Sequence, residues 1–182
     1  MSKLTKAKKL FIVDFDDTIF PTTWAVGFFF EKDYPLPENF SNYVTELMIF
    51  LSMAQKLGKV VIVTNSTQNW VTKGSSELFT QNGFADATKL VTGVDKIVYA
   101  RETYPTVSQD DAKFFSFRDL LSEFEGDRVI AMGDHQNDLD NFKRAIKDAK
   151  EYSHLFIKFN NFLDCSFFNH IFSSGFYFFY QF

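Results

Sequence analysis

Apolar residues along the chain fall into short unbroken runs separated by stretches of helical spacing. Leu10–Val13 (LFIV) and Val60–Val63 (VVIV) are continuous apolar runs, the pattern of strands covered on both faces of a parallel sheet. Lys96–Ala100, Arg128–Met132 and Leu155–Phe159 read as three further strands. Between them, apolar positions recur every three or four residues. Phe40, Tyr43, Val44, Leu47, Met48, Leu51, Ala54 and Leu57 mark one helix, which Gly58 stops. Trp70–Phe79 predicts a second, ending near Gly83. Asp110–Phe124 predicts a third, with Phe114, Phe117, Leu120, Leu121 and Phe124 on one face. Asn137–Lys150 predicts a fourth, with Leu139, Phe142, Ala145, Ile146 and Ala149 inward. Phe20–Pro37 reads as the one long irregular stretch. Alternation of strand and helix predicts an open α/β sheet with right-handed crossovers.

In such a sheet, ligands bind beyond the carboxyl ends of the strands. The first strand ends in Asp14, Asp16, Asp17 and Thr18, the second in Thr64, Asn65 and Ser66, and the fourth in Gly133, Asp134, Asn137 and Asp138. Each group alone is readable as a helix cap or an acidic turn. Capping, however, does not call for several carboxylates on neighbouring strands, where they repel one another unless a cation sits among them. A hard divalent cation with oxygen ligands, Mg²⁺ first among them, relieves that repulsion.

These residues resemble the motifs of the haloacid dehalogenase-like (HAD) hydrolase superfamily, most of whose members are phosphatases. Asp14-Phe15-Asp16-Asp17-Thr18 matches its first motif, the VVIV strand with Thr64 its second, and Gly133-Asp134 with Asp138 its fourth. The third motif is only a lysine. Lys113, opening a helix ahead of Asp134, is the first candidate, and Lys96 and Lys89 are the others. The words DDTIFPTTW, VTNSTQNWV and VYARETY are similar to an uncharacterised eukaryotic group of the superfamily.

The resemblance implies a three-layer Rossmann-like sandwich with strand order 5-4-1-2-3 and the first strand central. It also implies Mg²⁺-dependent hydrolysis of phosphomonoesters. Asp14 would be the nucleophile that forms an aspartyl-phosphate, and Asp16 the general acid and base. Asp14, the backbone carbonyl of Asp16, Asp134 and Asp138 would hold the metal. Thr64, Asn65 and Lys113 would bind the phosphate. A silent binding module on the same fold is the alternative reading. A receiver domain has similar parts, but its phosphoacceptor Asp ends its third strand and its Thr its fourth, whereas here Thr64 ends the second strand and the third runs into Arg101-Glu102 with no Asp.

The superfamily's small-metabolite enzymes carry a cap domain. Here the intervals before and after Thr64 are filled by core elements, so no sizeable cap is expected and a phosphate on a macromolecule becomes an admissible substrate. Trp24 is open to two readings, a shield over the substrate or core packing, and Phe28–Phe30 offer an apolar rim. Asp17 reads as a solvated or capping residue. His135 is readable as a surface residue of the motif loop or as a substrate contact.

Composition narrows the classes further. The chain has 182 residues and a net charge of −4, with a pI near 5.4, which leaves no basic footprint for duplex nucleic acid or an anionic membrane. The single cysteine, Cys165, excludes an intrachain disulfide and a cysteine-rich zinc site. No secretory signal opens the chain, and a cytoplasmic location is expected. Phe occurs 25 times, ten of them from Phe156 onward. The boundaries expected are residues 1–164 for the hydrolase domain and 165–182 for a Phe-rich extension, which is readable as sheet cover, a partner contact or an extension unrelated to the family's usual ending, and which if exposed would be a self-association site.

Overall fold

A computed structural model of the chain describes residues 9–31, 35–149 and 152–158. The expectations about residues 165–182, Cys165 included, lie outside the described residues. So does Phe159, the last residue of the fifth expected strand.

Five strands form one all-parallel sheet in the order β3-β2-β1-β4-β5. They are β1 (Lys9–Val13), β2 (Gly58–Thr64), β3 (Lys96–Tyr99), β4 (Arg128–Gly133) and β5 (Ser153–Lys158). β1 is central, and Val13 lies level with Ile62 of β2 on one side and Met132 of β4 on the other. Because the three strands run level, the loops at their carboxyl ends emerge side by side. The ladder continues one step further, where the Asp14 N–H donates to the Met132 carbonyl at 2.9 Å.

Side chains alternate between the two faces of a strand, and each face has its own core. Phe11, Val13, Val60, Ile62, Ile130 and Met132 point to one side. There they meet α1 (Thr22–Phe30), α2 (Phe40–Leu57), α3 (Ser75–Gln81) and α4 (Ala85–Thr92). Leu10, Ile12, Val61, Val63, Val129 and Ala131 point to the other. They meet α6 (Gln109–Glu123) and α7 (Gln136–Lys147), while the short α5 (Ala100–Thr103) follows β3 directly. The result is a three-layer α/β sandwich, and among the described residues neither crossover adjoining β2 holds a cap domain.

α2 ends at Leu57 and β2 begins at Gly58, with no connecting residue. A β-carbon at Gly58 would lie 2.2 Å from the Lys9 carbonyl oxygen, so only glycine lets the chain pass that close to β1. The expected helix over Trp70–Phe79 is present as a π-helical turn, Trp70–Gly74, running into α3. Phe20–Pro37, expected to be irregular, contains α1 instead. Its sequence, TTWAVGFFF, is nearly all apolar and has no polar face from which helical spacing could be read. Tertiary packing selects the helix. Trp24 stacks on Phe28 with ring centroids 5.3 Å apart and lies 5.9 Å from Phe40, and Phe29 meets Trp70 edge-on at 5.7 Å. α4 is a further helix that the sequence pattern does not separate from its surroundings.

Candidate active site

The loop after β1 builds the centre of the site. The Phe15 carbonyl accepts from the backbone N–H groups of Ile19 and Phe20 at 3.1 and 2.9 Å, and the Asp17 N–H donates to the Phe20 carbonyl at 2.7 Å. This tight loop places Asp17 at φ 52°, a left-handed conformation that Asp tolerates better than most residues. The Asp17 carboxylate accepts from the Thr23 N–H and hydroxyl at 2.9 and 2.5 Å. It thereby satisfies an N–H in the first turn of α1, in keeping with the capping role read from the sequence.

Asp14 and Asp16 are directed to different partners. Asp14 follows Leu10 and Ile12 in the alternation and faces the α6–α7 layer, where it is buried. Lys113 of α6, itself buried, donates from Nζ to Asp14 Oδ1 at 2.8 Å and to Asp138 Oδ1 at 2.7 Å. Thus the first of the three candidate lysines reaches the carboxylates. Lys96 is exposed at the sheet edge, and Lys89 pairs with Asp86 on the surface at 2.7 Å. Asp16 is held by three hydroxyls. Thr22 Oγ1 donates to its Oδ1 at 2.6 Å, Thr64 Oγ1 to its Oδ2 at 2.8 Å, and Ser66 Oγ lies within 2.9 Å of both oxygens.

Thr64, expected to contact phosphate, points its hydroxyl at Asp16. Its side chain is fully buried, its hydroxyl is given to Asp16, and that same oxygen accepts the Ser66 N–H at 2.9 Å. The residues of that strand end that face the open cavity are Asn65, Ser66 and Thr67. Asn65 Oδ1 is buried with no hydrogen-bond partner. Of the other two clamps on Asp16, Ser66 is read from the sequence only as part of the strand end, without a role, and Thr22 does not stand out at all, because serines and threonines beside helix starts look like ordinary caps.

The cavity measures about 570 Å³ and is lined by Asp14, Asp16, Asp134 and Asp138, among others. Asp134 is half-buried, and the oxygens of Asp14, Asp134 and Asp138 come within 4.8 Å of one another. Asp138 is buried, although the apolar pattern of α7 points Leu139 inward. The buried face of α7 is Asp138, Asn141, Phe142 and Ala145, two polar residues included. Asn141 Nδ2 donates to the Asp110 carbonyl at 2.9 Å and so ties α7 to the start of α6. His135 is exposed, caps α7 through an Nδ1 that accepts the Asn137 N–H at 3.3 Å, and lines the cavity. Trp24 is part of the core packing and does not line the cavity, nor do Phe28–Phe30. Trp70 is the aromatic residue that does.

Electrostatically the site carries too little positive charge. Burial pushes the Asp14 carboxyl up to about 8, against the lowering by Lys113, and the Asp138 and Asp16 charges add to the rise. Burial also raises Asp134, with Asp138 and Asp17 contributing. Burial opposes the charge on Lys113, but the two carboxylates outweigh it and hold the ammonium above the ordinary lysine value. Asp138 Oδ2 is buried and has no hydrogen-bond partner. Three clustered carboxylates, one of them with an orphaned oxygen and with a single ammonium shared between two, form an oxygen donor set that fits a hard divalent cation.

Neither a family model nor a curated protein matches the sequence. Among solved structures, the Legionella pneumophila effector Ceg4 is similar, with a TM-score of 0.56 at 15% identity over 94% of this chain and 96% of that one. The HAD domain of the Legionella pneumophila effector Lem4 is similar as well, with a TM-score of 0.50 at 14% identity over 92% and 95%. At these identities the likeness is one of architecture, and the chain has a Rossmann-like fold of the haloacid dehalogenase-like kind.

Proposed function

We propose that this protein hydrolyses phosphomonoesters through an aspartyl-phosphate on Asp14, with Asp16 as acid and then base. The observation that carries the reading is the division between the two carboxylates. Asp14 sits in the grip of Lys113 among acidic neighbours, while Asp16 is drawn aside by three hydroxyls, and both line one open cavity. Two carboxylates in different surroundings can take different roles.

In the first step an Asp14 oxygen attacks phosphorus, the ester P–O bond breaks, and Asp16 gives its proton to the departing oxygen. In the second, Asp16 takes a proton from water. That water attacks the phosphoryl group, the bond from phosphorus to Asp14 breaks, and inorganic phosphate leaves. Lys113 balances charge at Asp14 throughout, and Asn65 offers a polar contact to the phosphoryl oxygens. Asp14, Asp134, Asp138 and the Asp16 carbonyl would hold Mg²⁺, which when bound offsets the negative charge of nucleophile and phosphate. With no cap domain over it among the described residues, the cavity admits a phosphate carried on a large molecule.

The test is turnover of para-nitrophenyl phosphate. Wild-type protein with Mg²⁺ is expected to release nitrophenolate, and both chelator and Asp14→Asn are expected to abolish it. Turnover that survives either change would refute the mechanism, and a wholly inert wild type would favour the binding module.

A further inference from the structure

Two cationic side chains line the cavity. Lys113 is committed to Asp14 and Asp138. The other is Arg101, exposed in α5 just past the carboxyl end of β3. Among the described residues the Arg101 side chain makes no hydrogen bond, ion pair or ring contact. Several acids beside it in sequence or around the cavity have other donors. Glu102 accepts the Gln68 N–H at 3.1 Å, Asp110 accepts from Asn137 Nδ2 at 3.2 Å, and Asp17 is taken by Thr23.

An exposed arginine on a cavity that six aspartates, Asp14, Asp16, Asp17, Asp110, Asp134 and Asp138, also line is in the wrong place for general surface solubility. It does suit an anionic visitor, since its fixed fork of donors binds carboxylate or phosphate in pairs of hydrogen bonds. β3 lies two strands from β1, roughly 10 Å at ordinary strand spacing. That offset leaves Arg101 on the β3 side of the cavity that Asp14 lines. The cavity is larger than a phosphate group alone requires.

We infer that Arg101 is a specificity residue that binds a second anionic group of the substrate, a carboxylate or a further phosphate, a few bonds from the phosphoryl group. The inference rests on the phosphomonoester reading, and a binding experiment separates the two because it needs no turnover. Calorimetric titrations with Mg²⁺ compare benzylphosphonate, para-carboxybenzylphosphonate and para-xylylene bisphosphonate on wild-type protein and on Arg101→Gln. Wild-type protein is expected to favour at least one doubly charged probe by roughly tenfold, the scale of one charge-assisted pair. The larger gain tells carboxylate from phosphate. In Arg101→Gln the preference is expected to fall to about one. A wild type without preference, a preference that persists in Arg101→Gln, or an equal loss for all three probes would overturn the inference. An inert protein that shows the preference keeps it and loses only the hydrolase.

Discussion

Lys113 is the residue on which the acidic cluster depends. Its ammonium bridges Asp14 and Asp138 in surroundings that exclude most water, and removing one partner from a buried charge cluster strands the others. Lys113→Met is therefore expected to cost about 3 kcal/mol in urea unfolding measured with chelator, and less with Mg²⁺ present. Asp16 makes a different demand. Its carboxylate does not touch Lys113 but hangs on Thr22, Thr64 and Ser66. Asp16→Asn keeps the shape and removes the acid, so dephosphorylation is expected to slow and phospho-Asp14 to accumulate, visible as an 80 Da gain (roughly, the mass of a phosphoryl group) by mass spectrometry of acid-quenched protein. Unchanged turnover would remove Asp16 from the chemistry.

Among the elements, α7 carries the tightest constraint. Its first turn brings Asp138 back over the end of β4, where a β-carbon on Gly133 would stand 2.8 Å from Asp138 Oδ2 and 3.0 Å from Asp138 Cβ. The glycine of the Gly-Asp motif is thus a spacing requirement, the room that Asp138 needs. Gly133→Ala is expected to push α7 outward, lowering stability by roughly 1–3 kcal/mol and weakening Mg²⁺ binding in calorimetric titration. Intact binding in that variant would show that Asp138 is no part of the metal site. α1 plays a complementary part on the other side of β1, since Thr22 at its start supplies one of the Asp16 clamps while Trp24, Phe28 and Phe29 pack against the core.

For the molecule as a whole, a crowded acidic centre makes stability depend on pH. The Asp14 carboxyl is raised in the folded state from an ordinary 3.8 to about 8. Folded protein therefore keeps a proton that unfolded protein has already released, and stability falls as pH rises through that interval. Asp134 shifts in the same direction. Without metal, the urea midpoint is expected to decline from the ordinary carboxyl range up to about pH 8. Mg²⁺ is expected to flatten the decline by taking the place of the proton. Asp14→Asn should flatten it without metal. A midpoint that climbs over this range in chelator would contradict the assignment. No helix among the described residues is long and apolar enough to cross a membrane.

The layered architecture is legible in the chain alone, since unbroken apolar runs and helical spacing are local patterns that survive without their neighbours. β1, β2 and β4 can be read within two residues, and α2 to the residue, because Gly58 marks its end. The acidic strand ends are legible for the same reason, being nearly consecutive in sequence. Which charges meet is settled by packing. Lys113 is one of three candidate lysines until α6 packs on α7 and turns it toward Asp14. Asp138 and Asn141 are buried where the apolar pattern points to Leu139, because a helix whose inner face closes a polar site breaks the rule that the inner face is apolar. Whether Thr64 meets a ligand or Asp16 rests on where Asp16 turns, and α1 becomes a helix by packing Trp24, Phe28 and Phe29 against the core. Those outcomes depend on residues far apart in the chain, and only the packed fold brings them together.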